Sequence, residues 1–212
     1  MSKSTATSEP AYIAIDRPHP SPTGTWTVDP SGSSVSVAWR KLRHWSTTGG
    51  WHCLGVIHLD DLPPVGVIRY QQPSGLPVLT MALDPAGMQT PTGDPATTLG
   101  GPEVMAIGGS GWWTLRSQSL EVLPGGAWRV MATLTAPGTA GLVELRLEVD
   151  PQASSPDRLV LTGQGLLDRR GVGMARPAWA FGSQVRLELA VHARRVRTSS
   201  RSAPWRPSAL PA

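Results

Sequence analysis

From Val185 to His192 the chain alternates strictly. Val185, Leu187, Leu189 and Val191 are apolar; Arg186, Glu188, Ala190 and His192 take the positions between. A side-chain period of two places one set on a buried face and the other in water, which a strand does and a helix cannot. The pattern recurs. In Ser33 to Arg40, Val35, Val37 and Trp39 share one face, and Lys41 falls at the end of it. In Trp51 to Leu59, Trp51, Cys53, Gly55, Ile57 and Leu59 oppose His52, Leu54, Val56 and His58. In Leu142 to Asp150, Val143, Leu145, Leu147 and Val149 oppose Glu144, Arg146 and Glu148.

Further strands are expected at Trp26 to Pro30, Val65 to Tyr70, Leu76 to Leu83, Trp112 to Ser117, Glu121 to Leu123, Trp128 to Thr135 and from Leu159. Residues 42 to 50 read as a connection closing on Gly49-Gly50, and 84 to 111 as one long irregular loop. With 23 Gly and 21 Pro among 212 residues, breakers are too dense for a helical protein. An antiparallel barrel or sandwich fits many short strands, and closure of a barrel removes its exposed edges.

Three segments are expected. Residues 1–23 are rich in Ser, Thr and Pro and read as a disordered tail. Residues 24–193 carry the strands, and 194–212 form a basic, Pro/Ser-rich disordered tail. That tail holds five arginines and no acid, so of the chain's net charge of +4 the domain keeps about −1. A neutral domain with a basic end is a poor nucleic-acid binder by charge alone. The single Cys53 forbids an intrachain disulfide, which suits a reducing compartment. No stretch is apolar for long enough to form a membrane helix, and Ala11 to Ile15 is too short for a signal peptide. The expectation is a soluble, cytoplasmic protein.

Metal or nucleophile chemistry has little to start from. His52 and His58 fall on the strand face opposite Cys53, so the three cannot converge from one strand. The run Gly108-Gly109-Ser110-Gly111 lacks the Lys-Ser/Thr of a phosphate loop. Neither a nucleophile elbow nor a recognisable pair of carboxylates is present. The expectation is no enzyme, no cofactor and no metal.

Several segments in order resemble the YceI-like, polyisoprenoid-binding family. They are Trp26-Thr27-Val28-Asp29-Pro30 with Val35, Val37 and Trp39; Met88 to Gly93; Trp113 to Ser117; Leu134-Thr135 with Gly138-Thr139; and Asp168-Arg169 with Gly173 ahead of the closing strand. The chain departs from the family pattern at Gly32-Ser33, where a His-Ser pair is usual, and at Lys41, where a second histidine often stands. It departs again at Gly100 to Met105, in place of an aromatic-acidic loop, and at Gly171-Val172, in place of Asp-Phe.

The resemblance implies an all-β, lipocalin-like antiparallel barrel of about eight strands that holds a long isoprenoid, either a polyprenyl lipid or an isoprenoid quinone. Eight strands leave an interior that is packed solid or takes one slim ligand. Val37, Trp39, Ile57, Val143, Leu145, Leu147, Leu187 and Leu189 are the expected lining, with Lys41, Arg116 and Arg169 as head-group candidates. Gly55, Gly163 and Gly165 either clear room for a ligand or mark strand bends. Peripheral contact of the basic C-terminal tail with anionic membrane, with Trp205 as anchor, and a homodimer both stay open. The alternative is a packed barrel serving as a structural or protein-interaction module.

Overall fold

The computed structural model describes residues 22–41, 44–70, 72–83, 112–136, 138–168 and 184–197, with the side chains of 39–41 and 44–49 excepted. Ten strands form one antiparallel sheet: β1 (Gly24–Val28), β2 (Ser34–Lys41), β3 (His44–Leu59), β4 (Ile68–Arg69), β5 (Leu79–Leu83), β6 (Trp113–Val122), β7 (Trp128–Ala136), β8 (Thr139–Val149), β9 (Arg158–Asp168) and β10 (Gln184–Arg195). Strands β2, β3 and β5 to β9 follow one another in space, and β10 joins β9 to β2. The result is a closed barrel of eight staves, the architecture that the alternating pattern and the breaker density favour. No helix occurs among the described residues.

One stave is composite. The Ser34 end of β2 pairs with Ala190 on one side and His52 on the other. Farther along the same two neighbours, β1 takes over, with Val28 beside Ala193 and Thr27 beside Val56. Two short strands thus share the gap between β10 and β3, joined by a turn through Asp29 to Ser33. The buried Ser33 hydroxyl locks that junction, donating to the His192 carbonyl at 3.1 Å and accepting from the His192 N–H at 2.9 Å.

Four strand assignments are corrected. β3 begins at His44, so Gly49 and Gly50 lie inside a strand, opposite Val37 and Ser36, and do not end a connection. A register shift between Val37 and Ala38 absorbs one extra residue of β3, the signature of a bulge. The expected strands at Trp112 to Ser117 and Glu121 to Leu123 are one, β6, with a second shift between Ser117 and Ser119. The stretch Val65 to Tyr70 keeps only the two residues of β4. β5 starts at Leu79, because Pro77 has no N–H to give a ladder. At the other boundary β10 runs to Arg195, so Arg194 and Arg195 are strand residues and not tail. The long loop 84–111 and the tails 1–21 and 198–212 lie outside the described residues.

The core is a single cluster inside the barrel, fed by every stave. Along β10 the buried positions are Val185, Leu187, Leu189, Val191 and Ala193, matching the alternation of the sequence. Full burial of one such side chain is worth about 1.5–3 kcal/mol, so a core drawn from all staves is what holds the ring closed.

Candidate ligand site: the barrel interior and its Arg195 end

Seven of the eight expected lining residues are buried inside the barrel: Val37, Ile57, Val143, Leu145, Leu147, Leu187 and Leu189. The eighth, Trp39, pairs with Val185 through its backbone, and its side chain lies outside the described residues. No charged residue is buried among the described residues; the buried polar ones are Ser33, Gln72, Ser117 and Ser119. Ser117 donates no charge to the interior either, its hydroxyl accepting from the Leu79 N–H at 2.9 Å. The described lining can therefore hold a molecule by apolar contact and shape.

The head-group candidates separate. Arg116 is exposed on the outer face of β6, between inward Leu115 and Ser117, and cannot reach a ligand in the interior. Strand alternation decides this: Trp113, Leu115 and Ser117 point in, so Thr114 and Arg116 must point out. Lys41 is the last residue of β2, paired with His44, and its side chain lies outside the described residues. Arg169 lies outside them as well, immediately after Asp168, the last residue of β9. The backbone of Lys41 and the β9 terminus Asp168 stand at the barrel end where β10 begins, the Gln184 end.

The three strand glycines are filled. Gly165 lies between Leu145 on β8 and Leu187 on β10; Gly163 lies between Leu147 and Leu189. A Cβ on Gly165 would stand 2.6 Å from Leu145 Cδ2 and 2.7 Å from the Glu144 carbonyl oxygen. A Cβ on Gly163 would collide with Leu147 Cδ2, and one on Gly55 with the Thr80 carbonyl oxygen. The glycines let strands and leucines approach closely, and they clear no channel.

Toward the Gln184 end two indoles meet in the interior. The Trp51 and Trp113 rings are 5.7 Å apart and tilted by 45°, and both Nε1–H groups are buried without an acceptor. A buried donor left unmade costs about 1–3 kcal/mol. Cys53 faces the same interior, and burial pushes its thiol up to about 12. His52 stands on the outer face, its ring 3.1 Å from the Pro30 carbonyl oxygen. His58 meets the Thr25 hydroxyl at 3.2 Å. Neither histidine shares the interior with Cys53.

Open space beside the described core lies at the opposite end. A cavity of about 660 Å³ opens where β10 finishes and β9 begins. Its floor is the barrel core itself: Trp26, Trp128, Ala127 and Leu159 are buried members or neighbours of it, with Leu62 packed alongside. Pro22 and the turns Pro124 to Gly126 and Pro151 to Pro156 make the walls. The Trp26 Nε1–H donates to the Pro22 carbonyl at 2.9 Å, fixing the indole plane. Above it lies the Arg195 guanidinium, 5.5 Å from the ring centroid. Arg195 also donates to the Thr23 carbonyl at 2.7 Å and, more weakly, to that of Pro156 at 3.5 Å. Sequence reasoning missed this cavity. Its parts come from seven separate places in the chain, and Arg195 looks like tail until β10 is paired with β1.

No family model matches the chain, and no curated protein matches its sequence. Solved structures do match in fold. BcnA of Burkholderia cenocepacia superposes with a TM-score of 0.55 at 16% identity, covering 78% of this chain and 98% of its own. A polyisoprenoid-binding domain from Saccharophagus degradans, implicated in plant cell wall breakdown, gives 0.53 at 12% identity, covering 81% and 98%. The resemblance read from the sequence thus holds at the level of the fold: the chain has the barrel that a divergent YceI-like protein would have.

Proposed function

We propose that this barrel is a non-enzymatic binding or carrier protein for a long apolar isoprenoid, a polyprenyl lipid or an isoprenoid quinone, taken up through its Arg195 end. The observation that carries the reading is the cavity of about 660 Å³ whose floor is the apolar core. That volume lies in the range of sites that enclose a small ligand. Each methylene moved from water into such a site is worth roughly 0.8 kcal/mol, so a prenyl chain needs no charged anchor to be held. The shared barrel of a domain named for polyisoprenoid binding supports the same class of ligand.

A second reading, a packed barrel acting as a structural or protein-interaction module, is favoured by one observation: leucines occupy the space beside Gly163 and Gly165. Native mass spectrometry of the protein purified without detergent, with organic extraction of bound material, separates the two. A stoichiometric adduct with a prenyl mass ladder is expected. An apo mass unchanged after incubation with prenyl quinones and prenyl phosphates overturns the carrier reading and leaves the packed module.

A further inference from the structure

The barrel end that holds the cavity also gathers exposed apolar side chains. Val65, Val67, Ile68, Tyr70 and Leu76, each between 45% and 74% exposed, lie in one stretch of chain. That stretch follows β3, whose last residue Leu59 pairs with Gly24 at this end. It reaches across to β6, where Val65 bridges Val122 and the Gly66 N–H donates to the Val122 carbonyl at 2.8 Å. Val122 in turn pairs with Trp128 of the cavity floor. Exposed Val196 stands on the same rim, its N–H donating to the Thr25 carbonyl at 2.8 Å. Charge does not set this end apart. Asp61 is paired with Arg69 and Asp157 with Arg197, and Asp29, Glu121 and Glu148 each face an arginine. The Asp60 and Asp150 carboxylates accept backbone N–H groups, of Ser74 and of Gln152 and Ala153, and Arg158 and Arg195 balance those two acids in number.

We infer that this apolar rim is a docking surface for a lipid bilayer, bringing the cavity against the membrane from which its ligand is drawn. The inference rests on the lipid-binding reading above and adds the place of exchange. Exposed apolar side chains gathered in one patch mark a contact with a membrane or a protein. Two observations favour a bilayer. The patch is continuous with a cavity whose floor is the apolar core, so a prenyl chain passes from acyl chains to core without crossing water. The described chain also ends on this rim, at Arg197, and residues 198–212 beyond it carry Arg201, Trp205 and Arg206 and no acid. Cations beside an indole complement an anionic lipid surface. Tyr70, the most exposed of the patch, has the apolar ring and polar tip that sit at a headgroup boundary.

Flotation of the full-length chain with phosphatidylcholine vesicles, alone and mixed with phosphatidylglycerol, tests this. Binding to both is expected, about tenfold or more tighter to the mixed vesicles, through the two arginines beyond Arg197. Val65→Asp combined with Ile68→Asp should weaken binding to phosphatidylcholine at least about tenfold, since burial of even one such side chain carries that factor. Both side chains are exposed, so the melting temperature should hold. Leu142→Asp, at an exposed position toward the Gln184 end, should leave vesicle binding unchanged. Binding that the double variant leaves intact, or that Leu142→Asp weakens as much, overturns the docking surface. A chain that floats with neither vesicle overturns it too, and a dimer in sedimentation that the double variant dissociates would show that the patch joins two copies. Native mass spectrometry keeps the two readings apart. A prenyl adduct on a chain that binds no vesicle overturns the docking surface alone. Vesicle binding through Val65 and Ile68, with neither adduct nor uptake of prenyl quinones and prenyl phosphates, upholds the surface and overturns the isoprenoid.

Discussion

Leu145 leans into the space that a side chain on Gly165 would need, its Cδ2 2.6 Å from where the Cβ would sit. The two are direct register partners on β8 and β9, and Leu187 flanks the same glycine from β10. The close approach is thus part of the packing. Gly165→Ala is expected to destabilise the barrel by about 1–3 kcal/mol, the usual cost of overpacking a filled core. The Glu144 carbonyl oxygen, 2.7 Å away, cannot rotate aside as a leucine can. Adding Leu145→Val should recover part of the loss in a denaturant-melt double-mutant cycle. Strict additivity would show that Leu145 is not the obstacle.

The composite stave depends on Ser33. Its hydroxyl serves both the N–H and the carbonyl of His192 at the junction where β2 gives way to β1. Ser33→Ala leaves that buried N–H without its acceptor, and a loss of about 1–3 kcal/mol is expected. Hydrogen exchange at the His192 amide should accelerate more than exchange at Leu187, mid-strand. Uniform acceleration along β10 would mean that the serine does not act locally.

Two tryptophans allow a comparison. Trp26 gives its N–H to the Pro22 carbonyl, whereas the buried Trp113 N–H has no acceptor. Both rings are almost fully buried, so changing either to Phe removes similar apolar area. Trp113→Phe also removes an unmet donor, and Trp26→Phe breaks a made bond. Trp113→Phe should therefore be milder by about 1 kcal/mol in chemical denaturation. If Trp113→Phe proves the costlier, the Trp113 N–H has an acceptor in solution, a water or a ligand.

How much of this was legible beforehand depends on how local the signal is. The inward faces of β8 and β10 are written as alternation in Leu142 to Val149 and Val185 to Val191, because the pleat alone decides them. Gly49-Gly50 misled, since a glycine pair that reads as a turn sits here beside a bulge, and a bulge exists only in a pair of strands. The sharing of one stave by β1 and β2 is likewise a property of the neighbours β3 and β10. The sequence offers Arg116 as a head-group candidate, although Leu115 beside it takes the inward position. The cavity needed the closed ring, because Trp26, Trp128 and Leu159 meet only there.

Cys53 carries a pH dependence with a definite sign. Burial raises its folded-state value from 9.0 to about 12, so the folded chain keeps a proton that the unfolded chain releases. The stabilisation is fully present below pH 9 and is lost as pH rises toward 12. Cys53→Ala should flatten the fall of melting temperature across that window. At pH 8 the native thiol should resist an aromatic disulfide reagent until denaturant is added, because the thiolate is the reactive form. Rapid labelling of the folded protein would place the thiol in contact with solvent.

The route of entry can be tested apart from the head group. Leu62 lines the cavity and is only partly buried against the core, so a larger side chain there has space to occupy. Leu62→Trp should fill part of the cavity that Leu62 lines together with Trp26 and Trp128. Binding of geranylgeraniol is expected to fall by about tenfold or more, from the loss of roughly two methylene contacts. The melting temperature should hold, since the new indole enters open volume and displaces no packed side chain. Lys41→Met, at the Gln184 end, should leave that affinity unchanged. The reverse pattern, with Leu62→Trp neutral and Lys41→Met impaired, would place entry where β2 ends and β3 begins, and the Arg195 cavity would then be a surface recess unconnected with the ligand.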